Sequence, residues 1–169
     1  VILQVPKGRS LKRINISANR GQTSITNASL ENATINTNNS YLLRIEGKRS
    51  KNSKLTTPNI INIFGTDLTD SQLESTEKHF HAENIKVYGK LELSSKNALS
   101  IMLTQKESQE INLDLSSHHG PIYQLSRDES QRHPNELSNP YKTEKTDAKG
   151  QLIAKADDYI SLETTANRP

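Results

Sequence analysis

The chain has 169 residues, of which 31% are hydrophobic and 4% aromatic, with no Trp and no Cys. The missing cysteines exclude disulfides, thiolate metal sites and a Cys nucleophile. Its 22 Lys and Arg are interspersed with 19 Asp and Glu, so it lacks the concentrated basic footprint of a nucleic-acid binder, and no stretch approaches the roughly 20 apolar residues of a membrane span.

Asn, Ser and Thr supply 49 of the 169 residues. So polar a chain is disordered unless its few apolar residues are placed regularly. Here they are. The opening run Val1-Ile-Leu-Gln-Val-Pro6 reads as the interior of a strand, which suggests a piece of a longer chain. From Leu11 onward Ile and Leu alternate with polar residues, the period of a strand with one buried face. Leu11-Lys-Arg-Ile14-Asn-Ile16 leads through Asn19-Arg-Gly21 to Ile25. Leu30 to Ile35 leads through Asn38-Asn39-Ser40 to Leu43 and Ile45, and Leu55 leads through Pro58-Asn59 to Ile61 and Ile63. Leu68 and Leu73 lead through Glu83-Asn84 to Ile85 and Val87. Leu91 and Leu93 lead through Lys96-Asn97 to Leu99 and Ile101. Ile111, Leu113 and Leu115 lead through His118-His119-Gly120 to Ile122, and Leu152 to Ala154 leads through Asp157-Asp158 to Ile160 and Leu162. Gly, Asn and Asp suit the bends because they accept left-handed backbone or bond their own main chain.

Seven strand–turn–strand units, each too small to bury its own apolar side, predict an all-β, single-domain β-solenoid whose stacked coils share one narrow core. The domain is expected over 1–162. A long polar loop is expected at about 126–146, before a last coil, Gly150 to Leu162, that closes the end, and 163–169 reads as a flexible tail. Helical patterning is nearly absent; Asp70 to His79 is compatible with a helical turn but offers a single apolar residue.

The turn-then-alternation runs Ser17-Ala-Asn-Arg-Gly21 and Ser116-Ser-His-His-Gly120-Pro-Ile122, with the ending Gly150-Gln-Leu152-Ile-Ala-Lys-Ala-Asp157-Asp-Tyr-Ile160-Ser-Leu162, resemble the adhesin-like family of bacterial β-solenoid domains. The resemblance covers Leu11 to Leu162. Asn39, Asn59, Asn97 and Asp158 stand where that pattern has turn glycines, and the segments 50–58 and 70–82 are more polar than its coils. The resemblance implies a non-enzymatic binding or scaffold module at the cell surface or elsewhere outside the cytoplasm of a bacterium. It supplies no catalytic residues.

The remaining constellations are weak. His79 and His81 share a face of an extended strand, a geometry that suits zinc if His118, His119 or Glu83 adds a ligand, but no signature spacing joins them. Asp67 with Asp70, and Asp157 with Asp158, are the nearest carboxylate pairs, with Glu92 and Asp114 elsewhere; none forms the paired constellation of a glycosidase. No nucleophile elbow or phosphate loop is present. The basic run Lys48-Arg49-Ser-Lys51-Asn-Ser-Lys54 reads as a solvated loop able to meet an anionic polymer or lipid. Asn15, Asn36, Asn62 and Asn112 alternate with core positions, and parallel coils can align such amides into ladders.

No catalytic, cofactor, metal or binding residue is therefore assigned, and no cofactor is expected. The expected partner is a protein, peptide or glycan of the envelope or of a host surface. The alternatives are a carbohydrate-active β-helix enzyme, poorly provided with aromatic platforms, and a self-assembling structural solenoid that pairs with its own copies through uncapped edges.

Overall fold

The computed structural model describes residues 2–4, 9–12, 15–16, 21–37, 42–104, 111–125 and 134–164. They form strands β1 (Ile2–Gln4), β2 (Ser10–Lys12), β3 (Asn15–Ile16), β4 (Gln22–Glu31), β5 (Thr34–Asn36), β6 (Leu42–Lys51), β7 (Lys54–Thr57), β8 (Ile60–Phe64) and β9 (Asp67–Ser75). They continue with β10 (Phe80–Ser95), β11 (Leu99–Leu103), β12 (Ile111–Ser117), β13 (Ile122–Leu125), β14 (Asn135–Leu137), β15 (Tyr141–Lys142), β16 (Gly150–Ala156) and β17 (Ile160–Thr164). The fold is an all-β solenoid, as the alternation predicts.

Parallel registers show how it is wound. Ile25, Ile45, Ile63, Ala82, Ile101 and Leu162 stand on one another in successive strands. The first four steps take 18 to 20 residues each. A second column runs Thr23, Leu43, Ile61, Phe80, Leu99, Ile160 and Ile122. These columns line face A of a three-sided coil. Face B carries the inward column Leu11, Leu30, Ser50, Leu68 and Val87. Face C carries Ile16, Ile35, Leu55, Leu73, Leu93, Ala154 and Leu115. The three sets meet in one thin core whose members, from Ile25 to Leu162, are almost wholly inaccessible to water.

The corners explain the Asn, Ser and Thr. At the corner between B and C, Asn32, Asn52, Asp70 and Gly89 all have positive φ, and their neighbours Glu31, Lys51, Thr69 and Tyr88 pair in successive layers. The residue after such a turn is often a buried hydroxyl. Ser53 Oγ donates to Lys51 O (2.9 Å), Ser71 Oγ to Thr69 O (2.8 Å) and Thr66 Oγ1 to Phe64 O (2.9 Å), each spanning one left-handed residue. Ser53 Oγ also accepts from Ala33 N (3.3 Å) and Ser71 Oγ from Ser53 N (3.3 Å), so each hydroxyl ties one layer to the next. At the corner between C and A the column Thr57, Ser75, Ser95, Ala156 and Ser117 carries hydroxyls at every place but Ala156, with Ser75 Oγ donating to Asn59 O and Ser95 Oγ to Lys78 O, both at 2.7 Å. Buried backbone acceptors at tight bends find partners in short hydroxyls.

Several expectations change. The segment 70–79 is not helical: β9 runs through Asp70 to Ser75, with Leu73 in the core. The polar segments 50–58 and 70–82 are regular coils whose inward positions include Ser50, Ser53, Ser71 and Ser75. The four asparagines do not stack. Asn15 registers with Thr34, Asn36 with Thr56, Asn62 with Arg44 and His81, and Asn112 with Gln151.

The largest difference lies at the far end. The segment 150–164 does not close the solenoid; it is inserted. β16 pairs with β10 on one side and β12 on the other, and β17 lies between β11 and β13. The end layer is therefore β12–β13, which precedes β16–β17 in the sequence. The stretch expected as a polar loop at 126–146 contains β14, antiparallel to β13, and β15, antiparallel to β12. Thr143 N donates to Leu113 O (2.9 Å), Thr143 Oγ1 accepts from Leu113 N (2.8 Å) and Asn112 Oδ1 accepts from Lys145 N (2.6 Å). Asn139 Nδ2 donates to Ser117 O (2.7 Å) while its Oδ1 accepts from Ser117 N (3.1 Å). Part of the edge that the final parallel strands leave is thus covered. Of the tail expected at 163–169, Glu163 and Thr164 belong to β17; 165–169, the turn residues 17–20 and 38–40, and residues 126–133 lie outside the described residues.

Candidate binding face

Alternation that sends one residue inward sends the next outward, and the shared register then aligns the outward residues as strictly as the core. On face C one outward column runs Thr34, Lys54, Gln72, Glu92, Ile153 and Asp114. The next runs Asn36, Thr56, Glu74, Ser94, Lys155 and Ser116. Adjacent layers lie about 4.8 Å apart, so face C presents two parallel rows of amides, hydroxyls and charges of both signs at a fixed repeat, interrupted by Ile153 in the first.

A shallow groove of about 520 Å³ follows the border of this face with face B, lined by Thr34, Asn52, Lys54, Asp70, Gln72 and Glu92 among others. Asp70 is held there by its left-handed backbone, and its Oδ1 accepts from Lys90 N at 2.9 Å. Lys90 Nζ reaches Glu92 Oε1 at 2.6 Å. A second depression of about 230 Å³ marks the opposite border, between Glu74, Ser94, Lys96, Lys155 and Asp157. Lys96 Nζ meets Asp157 Oδ2 at 2.7 Å. That hydrogen bond lowers the Asp157 pKa against an opposing desolvation, and Coulombic attraction, first from Lys96 and then from His118 and His119, lowers it further. Its partner Lys96 is raised by the same hydrogen bond and charge.

The residues noted in the sequence fall in different places. His81 lies on face A, 3.5 Å from Glu83 and 5.9 Å between ring centroids from Phe64, whose ring also carries the Arg44 guanidinium at 5.1 Å. His118 and His119 pack edge to face at the bend after β12. Among the described residues no three His, Asp or Glu side chains converge on a metal position. Asp67 stands between Arg49 and Lys86 on face B, and Asp158 presents its carbonyl to Ser117 Oγ at 2.6 Å. The basic run 48–54 is not a loop. It turns the corner from β6 into β7, and on either side of it Lys51 registers with Glu31 and Arg49 with Asp67. Arg49 thus begins an alternating column with Asp67 and Lys86, whereas Lys54 stands between Thr34 and Gln72.

A family model described as Toastrack DUF4097 matches residues 3–163, nearly the whole chain. The chain belongs to the Toastrack DUF4097 family. Toastrack is a β-solenoid-like fold family, in keeping with the layered arrangement found here. No curated protein and no solved structure matches the chain. The face C groove was not identified from the sequence, because Lys54, Gln72 and Glu92 lie 18 and 20 residues apart and only the winding brings them together. A fixed step of 18 to 20 between outward polar residues was the available signal.

Proposed function

We propose that this Toastrack domain is a non-enzymatic binding or scaffold module of a bacterial envelope or surface, with face C as its recognition surface and an envelope peptide, protein or glycan as its partner. The observation that carries the reading is the pair of outward columns on face C, continuous across layers and bordered by grooves on both sides. A rigid sheet loses little entropy when an extended ligand lies across it, and repeated amide and hydroxyl groups offer many modest contacts. The carboxylates that first suggest hydrolysis have structural duties: Asp70 bonds a corner amide and Asp157 an ammonium. Resemblance to bacterial adhesin-like solenoids supports the surface location.

The test is a binding array of envelope-derived peptides, proteins and glycans against the purified chain. Saturable binding to one class is expected, with at least a tenfold loss in the variant Lys54→Ala/Gln72→Ala/Glu92→Ala. The face A variant Ser100→Ala/Ser161→Ala should bind as the parent does. Absence of binding to every class, or equal loss in both variants, rejects the assignment.

A further inference from the structure

The inserted segment occupies a slot with two walls. One wall is the edge of β10 and β11, with Leu91, Leu93, Leu99 and Ile101 behind it; the other is the edge of β12 and β13, with Leu113, Leu115 and Ile122 behind it. Collapse of one wall onto the other is the simpler alternative fold, since β12 also alternates apolar and polar residues. Position 150 shows why it does not happen. Gly150 registers with Gly89 below and Ile111 above. A Cβ on Gly150 would lie 2.9 Å from Val87 O and 3.3 Å from Gly89 O. Ile111 cannot take that place in the same register. In this register the slot is therefore selective for a strand that enters with glycine.

The strands that fill and cover the slot form a contiguous unit. β14 and β15 pair only with β13 and β12, while β16 and β17 pair only with β10 to β13, among the described residues. The whole unit 134–164 thus docks on receptor strands at 80–125 and is joined to them through residues 126–133.

We infer that this slot accepts the unit 134–164 of a second copy, so that two chains exchange it reciprocally. Exchange preserves every strand pairing, because the incoming segment is identical to the one it replaces. What opposes it is the effective concentration of the tethered segment, of the millimolar order for a short connection. Exchange is accordingly a property of crowded copies that fold side by side.

The experiment uses the full chain, which contains no Cys. Ser94 and Lys155 face outward in register across the β10–β16 boundary, and Thr56 and Glu74 do so across an ordinary boundary between β7 and β9. Ser94→Cys/Lys155→Cys is refolded under reduction at about 1 μM and at about 1 mM, then oxidised, with Thr56→Cys/Glu74→Cys as control. The lower concentration lies far below the effective concentration of the tethered segment and the higher one is of the same order. The expected result is a disulfide-linked dimer without free thiols, at least about tenfold more abundant at the higher concentration, from the first pair only. Ser116→Cys/Lys155→Cys, across the other wall, should repeat it and stands in if the first variant misfolds. Internal disulfides alone at both concentrations, or the same dimer yield from the control, overturns the inference.

Discussion

Ser50 and Ser71 are both buried serines near the same corner, yet they are not equivalent. Ser71 Oγ donates to Thr69 O and accepts from Ser53 N. Ser50 points into the face B column between Leu30 and Leu68, and its Oγ has no partner among the described residues. An unsatisfied buried hydroxyl costs about 1–3 kcal/mol. Ser50→Ala should therefore stabilise the fold by about 1 kcal/mol, whereas Ser71→Ala should destabilise it by about 1–2 kcal/mol. Denaturant melts with equal m-values would establish the difference; equal signs would refute it. Asn52 at φ 48 makes a similar case. Asn52→Ala should cost about 1 kcal/mol and Asn52→Gly close to nothing, since only the former adds left-handed strain without local hydrogen bonding. The Lys96–Asp157 pair supplies the pH term. A lowered Asp157 contributes stability that is present above its unfolded pKa and lost as pH falls through the folded one. A raised Lys96 contributes below its unfolded pKa and loses its effect as pH rises through the folded one. Support from the pair thus spans roughly pH 5 to 10. Asp157→Asn should narrow the difference in melting temperature between pH 7 and pH 3, an effect kept small by solvent screening.

At the scale of elements, most strand cores were legible because Ile and Leu alternate wherever two apolar positions face inward. Less legible were the strands whose inward places hold Ser or Thr. β7 and β9 show a broken alternation in sequence because Ser53, Thr57, Ser71 and Ser75 occupy buried positions at corners, where Ser53 and Ser71 reach a carbonyl two residues back and Thr57 and Ser75 reach Thr37 O and Asn59 O. The repeated signal was a left-handed residue followed by a hydroxyl: Asn52-Ser53, Gly65-Thr66, Asp70-Ser71. The bend expected at Glu83-Asn84 is real, with Asn84 at φ 54. The inserted β16 could not be read from sequence, because β12 and β16 have nearly the same apolar pattern and only the missing Cβ of Gly150 distinguishes their places. Gly150→Val should destabilise this end strongly, by about 2–4 kcal/mol, as overpacking against the Val87 carbonyl demands backbone movement. Hydrogen exchange should show faster exchange at 111–125 and 150–164 in that variant, with 42–75 unchanged. Uniform acceleration would mean that the layers do not act separately.

Across the whole molecule, a core only one or two residue columns wide per face has consequences for cooperativity. Each layer contacts only its neighbours, so stability is close to a sum of layer and interface contributions. Leu73→Ala, in the middle of the face C column, should cost about 2–5 kcal/mol because its cavity cannot be filled from a second layer of side chains. The unfolding transition should broaden as well as shift, which calorimetry would register as a van't Hoff enthalpy below the calorimetric one. The same layering separates core from surface: outward columns on face C can change without touching the apolar ones, so the proposed recognition and folding draw on different residues of the same strands.

Strand order also sets a timetable for biosynthesis. A conventional solenoid can be completed coil by coil as the nascent chain leaves the ribosome, each new turn settling on the last. Here β12 and β13 emerge before β16 and β17, the strands they rest on. Roughly 40 further residues must be translated after Leu125 before Thr164 appears, a delay of about 2–8 s at ordinary elongation rates. Through that interval the growing polypeptide carries two unfinished β edges, and a translation product halted before Gly150 would keep them.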